Sequence, residues 1–133
     1  MAHILTNNGA DWLTDALVGA SVTLLLYNDA TDNVSKTNNL ADITTEPADG
    51  NYTRQTGVLE RVTDGNIRIM RVSTAETFDT TLCSSQVVDS YAILHDPGTG
   101  LELMTTGALK QSYDLAEYDS IPLNVGDAAF QIP

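Results

Sequence analysis

Lysine, cysteine and tryptophan are close to absent from this 133-residue chain. Its lysines are Lys36 and Lys110, and with Arg54, Arg61, Arg68 and Arg71 they make 6 basic residues against 18 acidic ones, a formal net charge of −12. So few cations exclude a nucleic-acid partner, since affinity for a phosphate backbone comes largely from Lys and Arg releasing condensed counterions. The lone Cys83 excludes an intramolecular disulfide and a zinc site built from the cysteines of one chain, and it reads as a small buried hydrophobe. Long hydrophobic runs are missing as well. Nothing approaches the roughly 18 apolar residues of a membrane span, and the opening Met-Ala-His-Ile-Leu-Thr lacks the charged start and apolar stretch of a secretion signal.

What is present suffices for a core. Hydrophobic residues make up 42% of the sequence, and a chain of this length is about one domain, which hides roughly two-thirds of the surface its unfolded form exposes. The acids run from Asp11 to Asp127 without a block of five or six. They are either local, forming a cation site or a docking patch for a basic partner, or global, a dispersed solvated coat. The second arrangement resembles the Asp-rich, Lys-poor surfaces of halophilic proteins, where a Debye length of about 3 Å in molar salt screens the self-repulsion of such a domain.

Along the chain, Asn8 to Ala20 holds the one helical pattern, with Trp12, Leu13, Ala16 and Leu17 on one face after possible caps at Asn8 and Asp11. Ser21 to Tyr27 is β-rich and nearly continuous in apolar character, which predicts a buried strand. Residues 28–51 are polar and without period, and read as a long loop; loops longer than about 12–15 residues are usually functional or mobile, and this one is expected to reach onto a neighbouring subunit. Tyr52 to Val62 and Asn66 to Val72 flank the hairpin signal Thr63-Asp64-Gly65, and this hairpin gathers Arg61, Arg68 and Arg71. Short β-prone segments follow at Thr77 to Leu82, Val87 to His95, Leu101 to Thr105 and Ala108 to Tyr113, broken at Ser84-Ser85, Asp96-Pro97-Gly98 and Gly107. A last pair, Ile121 to Val125 and Ala128 to Ile132, flanks Gly126-Asp127. Short strands with frequent turns predict an all-β, single-domain antiparallel β-sandwich or jelly roll with a short N-terminal helix. The domain spans residues 1–133, with 1–20 as an N-terminal arm or short helix.

Four short boxes occur in a fixed order. They are Leu24-Leu25-Leu26-Tyr27-Asn28-Asp29, then Tyr52-Thr53-Arg54-Gln55, then Ala92-Ile93-Leu94-His95-Asp96-Pro97-Gly98-Thr99-Gly100, and last Leu123-Asn124-Val125-Gly126-Asp127-Ala128-Ala129-Phe130. In that order, from about Val22 to Ile132, the chain resembles a family of small virion proteins of tailed phages and haloarchaeal tailed viruses. Thr53 departs from the small residue usual in the second box, and an acidic stretch, Asp114, Glu117 and Asp119, interrupts the region between Leu109 and Pro122. The resemblance implies a structural subunit on the outer surface of the virion, made in the host cytoplasm. It would be a capsid decoration or turret protein; the alternative is a tail-tip or fibre module that binds a host receptor or glycan. The partners implied are the chain itself, as a cyclic trimer, pentamer or hexamer, and the major capsid protein, with a host surface glycan or protein as a further one.

Chemistry-bearing patterns are thin, and no enzyme is expected. The histidines, His3 and His95, stand outside any nucleophile setting, and Gly98-Thr99-Gly100 lacks the following helix of a phosphate loop. Paired carboxylates arise by chance on so acidic a surface. Asp29, Asp32 and Asn33 resemble half a calcium loop but lack its Gly and terminal Glu, so a structural divalent cation there is the weak candidate, and no other cofactor is expected. Interface candidates are the hairpin arginines Arg61, Arg68 and Arg71, together with Arg54, Tyr113 and Tyr118, since Tyr buries area at low entropic cost; Tyr91, in an apolar strand, is expected in the core. If the acidity is haline adaptation, dilution below about 1 M salt destabilises the isolated fold. A denaturation midpoint unchanged between low and multimolar potassium chloride would contradict it.

Overall fold

The computed structural model describes residues 5–132, so His3 lies outside the described residues. The chain is all-β with a short N-terminal helix. At its centre stands β1 (Ser21–Tyr27), where alternate side chains are buried on opposite faces: Leu24 and Leu26 on one, Leu25 and Tyr27 on the other. The apolar run has no polar face because both sides of the strand are covered. Antiparallel partners flank it, β2 (Gln55–Asp64) on one side and β5 (Val87–His95) on the other. Outward from these lie β3 (Ile67–Val72), β8 (Ala129–Ile132) and β6 (Glu102–Asp114), giving the order β6-β5-β1-β2-β3-β8. A small separate pair, β4 (Glu76–Asp79) with β7 (Ser120–Leu123), supplies Phe78, Ile121 and Leu123 to the main core.

The six-stranded sheet curls until it forms a nearly closed barrel. Across the seam between its end strands reaches Tyr91 of β5. Its Oη accepts from the Ala129 backbone N–H at 3.2 Å and donates to the Ala129 carbonyl at 3.4 Å, serving the edge of β8 as a neighbouring strand would. Farther along, Lys110 of β6 lies 3.5 Å from Asp127, just before β8. The expected break at Gly107 is absent: β6 is one strand of 13 residues. Gly107 sits inside it opposite Tyr91, because a Cβ there would fall 2.5 Å from Tyr91 Cζ. The glycine is a passage for a side chain rather than a turn.

Three further expectations are altered by tertiary contacts. The pair flanking Gly126-Asp127 does not close on itself; β7 joins β4 and β8 joins β3, with the turn carrying the chain from one sheet to the other. The loop 28–51 is ordered, containing a one-turn helix, α2 (Asp29–Asp32), and a 3-10 turn at Leu40–Asp42. It folds back over its own sheet, where Val34, Leu40 and Ile43 pack on Leu25, Tyr27, Ala92 and Leu94. The loop is a second layer over its own sheet.

The helix α1 (Asn7–Asp15) is capped by Thr6, whose side chain accepts from Gly9 N–H, and not by Asn8 or Asp11. Its buried residues are Ala10 and Thr14, while Trp12 is 75% exposed and Leu13 also faces outward. Electrostatics accounts for the reversal. Arg68, on the inward face of β3, pairs with Asp11 at 2.7 Å, and Arg61 of β2 reaches Asp15 at 2.5 Å and Thr14 Oγ1 at 3.0 Å. A buried guanidinium without a partner costs more than an exposed indole, so the helix settles with Ala10 and Thr14 buried and Asp11 over Arg68.

Gly107→Ala should destabilise the fold by about 1–3 kcal/mol through overpacking against Tyr91. Tyr91→Phe, which strips Ala129 of its partner without changing volume much, should cost about 1–2 kcal/mol. Urea denaturation of both variants at fixed salt checks these values; a Gly107→Ala protein as stable as the parent would show that the ring does not occupy this passage.

Candidate functional site

Each candidate arginine is engaged within the chain. Arg54 makes a two-pronged pair with Glu46, Nε to Oε2 at 2.9 Å and Nη2 to Oε1 at 2.8 Å. Arg71 Nε donates to Glu60 at 2.6 Å, and Arg61 and Arg68 hold α1 as described. Arg68 is only 5% exposed, so it is closed to an outside partner as the structure stands. The hairpin's basic charge is thus neutralised internally.

Glu46 does a second job, accepting from the Tyr52 hydroxyl at 2.9 Å, while that hydroxyl accepts from Leu26 N–H at 3.1 Å. Tyr52 also stacks on Phe78, centroids 5.9 Å apart and rings 8° from parallel. Burial, with the neighbouring Glu46 carboxylate, holds the Tyr52 hydroxyl well above the ordinary range of tyrosine. Burial likewise pushes Tyr27 up to about 12. Both therefore stay protonated and act as fixed hydrogen-bond donors.

Asp29, Asp32 and Asn33 are turned to different tasks. Asp29 Oδ1 accepts from Val34 N–H at 2.9 Å and from the Tyr27 hydroxyl at 3.2 Å. Asp32 accepts from both the backbone N–H and the Oγ1 of Thr44 and of Thr45, at 2.6–3.1 Å, and so fastens the return of the loop. Asn33 closes α2 in the left-handed region, φ 49°. Among the described residues, no three His, Cys, Asp or Glu side chains are grouped so as to hold a metal ion. In this arrangement Asp29 and Asp32 serve as turn and loop anchors.

Such anchoring extends across the acidic complement. Asp89 takes the N–H groups of Asp29 and Ala30 at the start of α2, at 2.7 and 3.3 Å. Asp96 takes those of Gly98 and Gly100, Asp49 that of Ser84, Asp114 that of Ala116 and Asp127 that of Asn124. Asp79 holds Thr81, and Asp42 closes a capping box on Asn39. The acids are dispersed, yet many of them are structural and not merely solvated. The signal for Asp89 was present in the sequence as a carboxylate inside an otherwise apolar strand; nothing comparable marked Glu46.

Tyr113 and Tyr118 meet edge to face, centroids 4.9 Å apart, at the turn that follows β6, where buried Leu115 anchors the acidic stretch. Tyr91 is in the core, as expected. His95 faces Glu102 at 4.0 Å. The concavities are open surface grooves: one of about 270 Å³ between Val34, Lys36, Leu103 and Thr105 carries Lys36, and one of about 440 Å³ beside Ser90 and Leu109 carries Asp29 and Asp89. No family model, no curated protein and no solved structure matches this chain. Fold and side-chain geometry by themselves define an all-β protein in which many acidic side chains brace its own loops.

Four carboxyls titrate below the ordinary aspartate value of 3.8. For Asp11 the main cause is the bond from Arg68, for Asp79 those from Thr81, and for Asp96 the N–H groups of Gly98 and Gly100. At Asp32 burial pushes upward, but the four bonds from Thr44 and Thr45 together outweigh it. A folded pKa below the unfolded one gives stability that is present above 3.8 and lost as pH falls through the folded value. In multimolar salt, where long-range repulsion is screened, the denaturation midpoint should fall between about pH 5 and pH 2. Asp32→Asn should flatten part of that fall; a variant with an unchanged pH profile would exclude the Asp32 anchor as a contributor.

Proposed function

We propose that the chain is an assembly protein and not a catalyst. Within that class, we read it as a structural subunit on the outer surface of a tailed virus of a halophilic host, a capsid decoration or turret protein that forms a homo-oligomer and contacts the major capsid protein. The observation that carries this reading is the order of the four boxes, each of which lies at a joint of the fold. The first box is the central strand and its exit into the covering loop, and the second contains Tyr52, which ties that loop to β1. In the third, β5 ends in the turn held by Asp96; in the fourth, the chain crosses from the small sheet to the large one. A rigid body whose loops are fastened by its own carboxylates suits a repeated coat position, where each copy has to present the same surface.

The Tyr113 and Tyr118 pair favours a second reading, a tail-tip or fibre module binding a host glycan, because the exposed Tyr118 ring, braced edge to face on half-buried Tyr113, offers an aromatic contact beside the acidic turn. Copy number separates the two. Quantitative mass spectrometry of purified particles should find many copies per virion for a decoration protein and a few for a tail-tip module. Absence of the protein from purified virions would end both readings.

A further inference from the structure

We propose that the groove where β5 and β6 part, with Ser90 at its floor and Asp29 and Asp89 at its side, binds a hard divalent cation of the calcium type. The inference goes beyond the assembly reading and does not depend on it. Val88 pairs with Tyr113 and Ser90 with Ala108, so Asp89 on β5 stands opposite residues 109–112 on β6. A bulge of this kind interrupts the ladder and re-aims side chains, and bulges concentrate beside functional sites. Here it opens a groove of about 440 Å³, lined by Asp29, Asp89, Ser90, Leu109, Gln111 and Ser112 among others.

Ser90 supplies the groove with a free polar group. Within the sheet it stands between Tyr27 on β1 and Ala108 on β6, and it is 6% exposed. A hydroxyl so deeply placed ordinarily finds a hydrogen-bond partner. That of Ser90 makes no hydrogen bond to another described residue, yet no fully enclosed side-chain N or O atom among the described residues lacks one. The small exposure of Ser90 therefore includes its hydroxyl, which opens into this groove.

Two carboxylates complete the chemistry. Asp89 accepts the N–H groups of Asp29 and Ala30, one on each oxygen, while Asp29 uses Oδ1 alone, for Val34 N–H and the Tyr27 hydroxyl. A carboxylate has about four lone-pair sites, so both keep acceptor capacity, Asp29 Oδ2 in full. The Tyr27 hydroxyl marks where they converge: burial first, and then the charges of Asp29 and Asp89, push it up to about 12. No basic side chain lines the groove. Asp11, Asp15, Glu46, Glu60 and Asp127 each have an arginine or lysine partner, whereas Asp29 and Asp89 have none among the described residues. Uncompensated carboxylates with hydroxyl and amide oxygens, and neither thiol nor imidazole, are the ligand set of a hard cation. Of the cation candidate read from sequence only Asp29 takes part, and the second carboxylate comes from a strand 60 residues away. Two carboxylates in place of a larger cage set a modest affinity, with Kd about 10⁻⁴–10⁻³ M.

Calorimetric titration of the full chain with calcium chloride, at a fixed multimolar potassium chloride concentration, tests the site. A single saturable event per chain is expected. Terbium emission excited through tyrosine should appear as well, because Tyr27 adjoins the ion, and calcium should displace it. Asp89→Asn should raise Kd by at least about tenfold, the scale of losing one charged ligand. Since Asp89 also holds the start of α2, the deciding variant is Ser90→Ala, which leaves every loop anchor in place and should raise Kd about fivefold. Asp79→Asn, on β4 and outside the groove, should leave Kd unaltered, and circular dichroism should show both of these variants folded as the parent is. Absence of a saturable heat overturns the proposal, as does undiminished affinity in Ser90→Ala. So does an equal loss of affinity in Asp79→Asn, which would mean diffuse screening of the −12 charge in place of a site.

Discussion

Leu24 and Leu26 point to one side of β1 and Leu25 and Tyr27 to the other, and all four are buried. That constraint governs the surrounding structure. Fully burying a leucine contributes roughly 1.5–3 kcal/mol, so neither face of the strand can be left in water. One face is closed by the curl of the sheet, with Met70, Phe78, Tyr91 and Ile121 meeting over it. The other is closed by the loop 28–51, whose Val34, Leu40 and Ile43 have no other apolar cluster to join. The loop's polar composition hides this role, since its few apolar residues are spaced for contact with β1 and β5 and follow no local period.

The same constraint explains the acidic side chains. A loop pressed on a sheet has backbone N–H groups that no ladder satisfies, and unsatisfied groups at a half-buried position cost free energy. Asp29, Asp32, Asp42 and Asp89 accept from those groups, with Asn28 and Asn39 capping the short helical turns. Acidity in this chain is thus a surface charge and a means of fixing irregular backbone at once. The four arginines follow a matching logic: each is positioned over a carboxylate from a different element or turn, and together they tie α1, the covering loop and the hairpin to the sheet.

Much of the fold was legible from residue pattern. β1 and β5 occur over the residues predicted for them, the β2–β3 hairpin turns at Gly65, and Tyr91 lies in the core. The candidate site was less legible. Arg54, Arg61, Arg68 and Arg71 were identifiable as a concentration of charge, but whether they faced a neighbour or their own chain depended on where Glu46, Asp11, Asp15 and Glu60 came to lie. Those partners are 8, 57, 46 and 11 residues away in sequence. Only Glu60–Arg71 follows from the hairpin register; the other three depend on where a loop and a helix come to rest on the sheet, which sequence spacing does not record.

By itself the sequence determined the strands, because burial on one or two faces imposes an alternating or continuous apolar pattern that local reading recovers, and it determined the turns, because Gly, Asp and Pro preset backbone angles. Tertiary structure alone decided the outward rotation of Trp12, the threading of Tyr91 past Gly107, and the parting of β7 from β8 into different sheets. Each of these is settled by competition between distant groups, an arginine that needs a carboxylate, a ring that needs space, a strand edge that needs a partner. Such competitions are resolved by the summed free energy of the packed chain and leave no trace in any single window of residues.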